Sequence, residues 1–393
     1  MSVNHDRLKK KAIDARLPLD GAFELTPLCN FKCKMCYVRQ DPEQVRSRGG
    51  LRPADFWLKT AEEARDAGCL YPLITGGEPF TYPGFRGLYE QMHRMGLQCS
   101  INSNGSLIDE RAVDWLVQSP PARVNLTLYG GSAETYGRLC GDPDAFARVL
   151  HAADLMREAG ILFRFNCSLT PDNACDFDKI LEIAGRYGKS VRIATYMFPS
   201  LRGRGEIGTN SARFAPDEAA YYEVKMDFCQ LEPEQFRLLA KNGQRYKEPT
   251  EEQLAAADAG EPGESHCMAG RCSFWIDWRG RMSGCGVNML PNFSLDEYRF
   301  ADAWKRVVDY TNAFRWSPAC NNCINAPVCF SCPSMAYNET GSFDGRPVYL
   351  CEKAKHAAKW YRHFLKQLPE SDQPAPEAEP SGEFVSDCPV DDF

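Results

Sequence analysis

The chain has 393 residues, 18 cysteines and a formal net charge of −7. That length allows more than one domain and buries a full core without disulfide staples. Residues 1–20 carry charge throughout and hold no apolar stretch of the kind a secretory signal needs, and no apolar run approaches the ~20 residues of a membrane helix. A cytoplasmic setting is expected, where thiols stay reduced and so many cysteines point to metal or cluster ligation or to catalysis. The charge is uneven. Residues 369–393 hold eight carboxylates and no Lys or Arg, and without them the formal charge moves from −7 to +1. This Pro-rich acidic tail reads as disordered. The nearly neutral remainder gives no electrostatic case for nucleic acid or an anionic membrane.

After an N-terminal extension (1–20), a first domain is expected over 21–215, in which residues 21–196 alternate between strand and helix patterns. The strand candidates are 22–26 (AFELT), 71–75 (YPLIT), 98–102 (QCSIN), 123–128 (RVNLTL), 162–169 (LFRFNCSL) and 191–196 (VRIATY). Helical patterns lie between them, at 53–67, 84–95, 109–117, 143–159 and 176–187. This alternation predicts an α/β fold of parallel βαβ units. Six units make a partial (β/α)6 barrel, whose reactive site would sit at the C-terminal strand ends. Periodicity alone also permits a doubly wound open sheet. A Gly- and Arg-rich loop follows at 199–213. Residues 216–265 are expected to be a helical linker, with a helix over 216–242 and a polar stretch over 243–265. Residues 266–352 are dense in cysteine and poor in long elements, which is how a small domain held by metal reads. An amphipathic helix is predicted over 353–368, before the tail at 369–393.

Cys29, Cys33 and Cys36 lie just after the first strand. Three thiolates on a four-iron cluster leave one iron open to a small molecule. A zinc site lacking its fourth ligand is the alternative, but zinc normally brings a paired Cys/His partner at recognisable spacing. His93 lies in a predicted helix one unit away. The second strand ends in Thr75-Gly76-Gly77-Glu78-Pro79. The glycines allow close approach of the backbone, and Glu78 offers an acceptor for an ammonium group. The third strand ends in Asn102-Ser103-Asn104-Gly105, and Thr127 lies near the end of the fourth.

Together these residues resemble the radical S-adenosylmethionine superfamily, over about residues 21–196. The resemblance implies that Cys29, Cys33 and Cys36 hold a [4Fe–4S] cluster whose open iron chelates S-adenosylmethionine. Gly76, Gly77 and Glu78 would line the methionine amino group. Thr127 would lie near the ribose or carboxylate, Tyr37 near the adenine, and Asn104 beside the cofactor. One-electron cleavage of the sulfonium would then give methionine and a 5′-deoxyadenosyl radical that abstracts a substrate hydrogen. Many relatives carry Arg directly before a Gly after the fourth strand. Here the segment is Arg138-Leu139-Cys140-Gly141, and Arg138 is expected to be an exposed residue at a helix end.

Eight further cysteines follow: Cys267, Cys272, Cys285, Cys320, Cys323, Cys329, Cys332 and Cys351. They match two four-thiolate sites. Tandem zinc sites are the alternative, but a zinc ribbon wants ~15–20 residues between its CxxC pairs, and Cys323 and Cys329 are much closer. The pattern resembles the SPASM domain that follows many radical barrels, including Gly280-x4-Cys285. That resemblance implies one auxiliary [4Fe–4S] cluster on Cys267, Cys272, Cys285 and Cys332, and another on Cys320, Cys323, Cys329 and Cys351. The gap before Cys332 is one residue shorter than usual. Cys69, Cys99, Cys140, Cys167, Cys175 and Cys229 are expected mostly to be small packed residues. Cys388 lies in the tail.

SPASM-bearing relatives mostly modify peptides or proteins. The resemblance therefore implies a radical oxidoreductase acting on a peptide or protein, with ribosomal-peptide crosslinking, oxidation or epimerisation foremost and the auxiliary clusters accepting electrons. It also implies a reducing partner such as a flavodoxin or ferredoxin, and a separate leader-peptide carrier, since only about 20 residues precede the first strand. The alternatives are a formylglycine-forming sulfatase maturase and an enzyme of a small metabolite. Sulfatase maturases carry an Asp directly after the cysteine matching Cys285, where this chain has Gly286. Arg202, Arg204 and Arg213 could bind carboxylates of an acidic peptide. No residue is assigned as the catalytic base or hydrogen donor.

Overall fold

The computed structural model describes residues 3–199, 202, 212–264 and 267–369. They group into two compact units: 1–212 with 268–313, and 213–267 with 314–393. The acidic tail from 370 onward lies outside the described residues, as does Arg204.

The first unit is built on β1 (Asp20–Glu24), β2 (Tyr71–Thr75), β3 (Ser100–Ser103), β4 (Arg123–Thr127), β5 (Phe163–Ser168) and β6 (Val191–Ala194). All six are parallel neighbours in sequential order. A doubly wound sheet reverses its strand order at a switch point. This sheet does not reverse, so every crossover runs the same way, as a partial barrel of the (β/α)6 kind requires. Period-two alternation then separates the faces. Val124, Leu126, Phe163 and Phe165 are buried on one face. Asn102, Asn125 and Arg164 share the other, where Asn125 Nδ2 donates to Asn102 Oδ1 (2.6 Å) and Arg164 Nε to Asn125 Oδ1 (2.8 Å).

The boundaries shift where neighbours decide them. β1 starts at Asp20 rather than at residue 22, because Asp20 pairs with both Tyr71 and Ser273. Three strands were not foreseen. β7 (Ser273–Ile276) pairs parallel with the free edge of β1, and β8 (Arg281–Ser283) and β9 (Phe293–Ser294) continue antiparallel beyond it. The edge that a six-stranded sheet would leave open is thereby covered. The β7–β8 turn is built by Asp277, whose Oδ1 accepts from Arg279 N and Arg281 N, both at 3.0 Å. Gly280 there adopts φ +77°, a left-handed value that favours glycine.

The five helices expected between the strands are present: Ala54–Asp66, Phe85–Arg94, Glu110–Gln118, Ala145–Glu158 and Phe177–Arg186. Others were not expected, two of which bear on the site and its surroundings. Val3–Ala15 forms a helix within the N-terminal extension, and its Ala12 packs in an apolar cluster with Leu19, Met268 and Cys272. Ala133–Cys140 is a helix capped by Ser132 Oγ, which accepts from Thr135 N (3.2 Å), and closed by Gly141 at φ +76°.

In the second unit the helix expected over 216–242 is two helices, Pro216–Gln230 and Pro233–Gly243. Pro233 breaks the run and starts the second helix, where its missing N–H costs nothing. The polar stretch over 243–265 contains a helix, Glu251–Asp258. Its signal was a reciprocal cap: Gln253 N donates to Thr250 Oγ1 (3.2 Å) and Thr250 N to Gln253 Oε1 (3.0 Å). The last helix runs Val348–Leu365. Its Ala357, Tyr361 and Phe364 form a core with Ala220, Val224, Phe236 and Ala240.

Candidate active site

The loop after β1 carries Cys29, Cys33 and Cys36. Backbone bonds hold it over the end of β2: Gly77 N donates to Thr26 O (2.6 Å) and Glu78 N to Leu28 O (2.9 Å). A Cβ at Gly77 would stand 2.3 Å from Leu28 O, and one at Gly76 2.5 Å from Thr26 O. The two glycines are thus needed first by this loop's own backbone. On its other side, Lys32 N donates to Cys140 O (2.9 Å) and Lys34 N to Leu139 O (3.2 Å). These bonds bracket Cys33.

The three thiols are close enough to repel one another's charged forms. Burial, more than that repulsion, pushes the Cys29 thiol up to about 12. Ionised sulfur here therefore calls for a positive partner, and the donors around it suit thiolate ligands of a cluster. Phe31 N donates to Cys29 Sγ (3.3 Å), Arg39 N to Cys36 Sγ (3.3 Å), and Asn104 Nδ2 reaches Cys29 Sγ at 3.7 Å. The neighbouring Cys140 thiol first, then burial, pushes the Cys33 thiol well above its usual range, against the opposing effect of Tyr129.

Glu78 is fully buried beside this loop. Its carboxylate accepts from Ser103 Oγ (2.9 Å), Asn104 N (2.7 Å) and Phe80 N (3.2 Å). Burial still outweighs these donors and raises it to about 7. Asn104 Oδ1 accepts from Ser106 N and Oγ, while its Nδ2 donates to Asn30 Oδ1 (2.9 Å). Thr127 ends β4, half-buried. The Tyr37 ring lies 5.1 Å from that of Phe198, and the Arg202 guanidinium lies 5.6 Å from its centre.

Arg202 does not present an open charge to a carboxylate ligand. It bonds the buried Glu24 and donates to Gly286 O (2.9 Å). Trp275 Nε1 also donates to Glu24 Oε2 (3.0 Å). Arg213 pairs with Glu339 (2.6 Å) and lies over the Tyr349 ring. Arg138 closes its helix at the surface, donating to Asp172 O (2.9 Å).

Of the later cysteines, Cys320, Cys323, Cys329 and Cys351 are brought together in the second unit, where burial first and then neighbouring thiols of this set raise Cys320, Cys329 and Cys351. The other four divide between the units: Cys272 and Cys285 in the first, Cys267 and Cys332 in the second. Cys285 Sγ accepts from Val287 N (3.3 Å) and Cys332 Sγ from Met335 N (3.4 Å). Cys272 is fully buried among Ala12, Leu19 and Met268, the setting of a packed apolar residue. Among the described residues no three His, Cys, Asp or Glu side chains converge on a single metal ion. The thiolates of a four-iron cluster stand farther apart than the ligands of one ion. Cys69, Cys99 and Cys167 are buried as expected, whereas Cys175 and Cys229 are exposed. Sequence reasoning missed Glu24 and Tyr129. It read Cys140 only as a small packed residue, and Cys140 is buried.

Residues 23–184 match the model of the radical SAM superfamily. This stretch is a radical SAM domain. That family works with a [4Fe–4S] cluster and S-adenosylmethionine. Over 333 residues the radical SAM chain is 22% identical to the AdoMet-dependent heme synthase of Oleidesulfovibrio alaskensis, spanning 82% of this chain and 84% of that one. It is 23% identical over 334 residues to the PqqA peptide cyclase of Ruegeria pomeroyi, spanning 81% and 84%. Its fold is similar to that of Streptococcus suis SuiB bound to the precursor peptide SuiA, with a TM-score of 0.62 at 18% identity, covering 88% of this chain and 80% of that one. No helix among the described residues is long and apolar enough to cross a membrane.

Proposed function

We propose that this radical SAM enzyme oxidises or crosslinks a peptide or protein substrate, with Cys29, Cys33 and Cys36 holding the cluster that binds S-adenosylmethionine. That pair of cofactors would supply a 5′-deoxyadenosyl radical. The chain itself would orient it: Gly76, Gly77 and Glu78 at the β2 end, Asn104 at the β3 end, Thr127 on β4 and Tyr37 beside the loop.

The observation that carries the oxidative reading is the convergence of Cys320, Cys323, Cys329 and Cys351 within one compact unit. Four thiolates fill a four-iron cluster and leave it an electron carrier. Such a carrier could take the electron left on a substrate after hydrogen abstraction. A further auxiliary cluster on Cys267, Cys285 and Cys332 with Cys272 follows the family pattern, although the apolar surroundings of Cys272 suit packing better. A flavodoxin- or ferredoxin-like donor would supply the starting electron. The peptide class follows the relatives named for peptides. A separate leader-peptide carrier is part of the same reading.

The test is anaerobic incubation of reconstituted enzyme with S-adenosylmethionine and dithionite, followed by mass spectrometry of short peptides co-expressed with it. Methionine and 5′-deoxyadenosine must form. A peptide lacking two hydrogens would support the proposal, whereas turnover of a small molecule alone would replace it. The heme synthase relative favours that second reading. A sulfatase-maturase reading is disfavoured by Gly286, whose Cβ would meet the Trp275 ring at 2.5 Å, so an Asp has no room there.

A further inference from the structure

We propose that the barrel wall formed by β4, β5 and β6 binds carboxylate groups of the substrate through Arg123, Arg164 and Arg192, and that the substrate is an acidic peptide. The proposal rests on the reading of a peptide or protein substrate and deepens it by naming that substrate's chemistry.

The strand register brings the three arginines to one wall. Asn125 on β4 pairs with Arg164 on β5, and Asn166 on β5 pairs with Arg192 on β6. Arg123 lies two residues before Asn125 and so shares its face. The alternate residues Val124, Phe163, Phe165, Val191 and Ile193 are buried on the other face. No Asp or Glu occurs in β3, β4, β5 or β6, so these strands give the wall positive charge and no negative charge.

One amide organises the pair on β4 and β5. Asn125 Oδ1 accepts from Arg123 Nε (3.1 Å) and from Arg164 Nε (2.8 Å), which holds two like charges side by side. Asn102 Oδ1 accepts from Asn125 Nδ2 (2.6 Å) and fixes which end of that amide faces the arginines. Burial, then the Arg164 charge, lowers Arg123, and burial lowers Arg164. A carboxylate bound between them offsets both effects. A guanidinium also matches a carboxylate through two parallel N–H donors, and a wall of one sign focuses the attraction.

Two features favour a peptide over a small acid. Asn166 Oδ1 is buried and accepts no hydrogen bond among the described residues, and a peptide N–H would satisfy it. Arg123 and Arg192 also stand two strand spacings apart, roughly 10 Å, which suits carboxylates on separate side chains. Arg192 is level with Thr127 across the register. A side chain seated on it would hold the peptide at the C-terminal ends of the strands, where the reactive face of such a barrel lies.

The experiment uses the full chain, anaerobically reconstituted, with fluorescein-labelled hexaglutamate and hexaglutamine as probes. Binding is read by fluorescence anisotropy at one ionic strength. Hexaglutamate should bind about tenfold more tightly than hexaglutamine, and Arg164→Gln and Arg192→Gln should each remove most of that preference. Arg164→Lys should retain part of it, which separates loss of binding from loss of fold. Arg138→Gln, at the surface, should leave it unchanged. Equal binding of the two probes to wild type, or an unchanged preference in both Gln variants, would overturn the proposal. Displacement of hexaglutamate by an equal concentration of tricarballylate would overturn the peptide assignment. Binding needs no turnover, so the two readings fail separately. Charge-dependent binding without any peptide product removes the peptide-oxidation reading, whereas peptide product without charge preference removes this inference.

Discussion

Arg202 Nη2 lies 2.8 Å from Glu24 Oε1 and 2.6 Å from Oε2, in an ion pair whose carboxylate is wholly out of solvent. The pair ties the segment after β6 to the C-terminal end of β1, and Arg202 Nη1 extends the tie to Gly286 O, one residue past Cys285. Breaking one partner strands the other charge. Glu24→Leu and Arg202→Met should therefore each cost about 3–5 kcal/mol, and the apolar pair Glu24→Leu/Arg202→Met should cost less than either single change. Urea unfolding of the three variants checks this, and additive losses would show that the charges do not depend on each other.

Gly286 lies flat against Trp275. Gly286→Ala should destabilise the protein by about 1–3 kcal/mol through overpacking, and Gly286→Asp by at least as much, since it adds a charge beside Glu24. Neither should confer formylglycine formation. Thermal unfolding and a sulfatase-peptide assay read the two effects separately.

If Cys320, Cys323, Cys329 and Cys351 hold one cluster, they act as one set. Cys329→Ala should lower iron by about four atoms per chain, from about twelve if three clusters are present, and should leave cleavage of S-adenosylmethionine running while peptide oxidation stops. Iron analysis with product assays checks both. Full iron in this variant would remove Cys329 from the set.

Asp227 gives the second unit a pH dependence. Burial first, then the neighbouring Glu223, raises its carboxyl from 3.8 to about 7, although Tyr361 Oη donates to it (3.1 Å) and Lys353 pairs with Glu223. Between those values the folded chain keeps a proton that the unfolded chain has released. Stability therefore falls as pH rises from about 4 to about 7, and Asp227→Asn should flatten that slope. Melting temperatures of both proteins at about pH 5 and about pH 8 give the comparison; parallel slopes would count against the assignment.

The barrel was legible because each βα unit is locally written: apolar runs such as 71–75 and 123–128 need only their neighbours in sequence to be recognised. The cysteine triplet and Gly76-Gly77-Glu78 were legible for the same reason. β7 was not, because Ser273–Ile276 is four buried residues whose partner, Asp20–Phe23, lies some 250 residues earlier. No periodicity carries that pairing. The neighbours of Cys33 were hidden likewise. Cys140 reads as a small apolar residue at a helix end until the backbone bonds from Lys32 and Lys34 bring the loop against it. The Arg-rich loop misled in the opposite direction. Its guanidinium at 202 looked available because Glu24 sits in a different segment, within an apolar run that gives no hint of a buried carboxylate.

The pairing of β7 with β1 also sets an order of events during synthesis. The six barrel strands have left the ribosome by Ala194, but the strand that covers β1 ends at Ile276, roughly eighty residues later. At about 5–20 residues per second the nascent barrel waits about 4–16 s with that edge bare. Through that interval the edge of β1, next to the cysteine loop, is the place where a chaperone would bind or two nascent chains would stick.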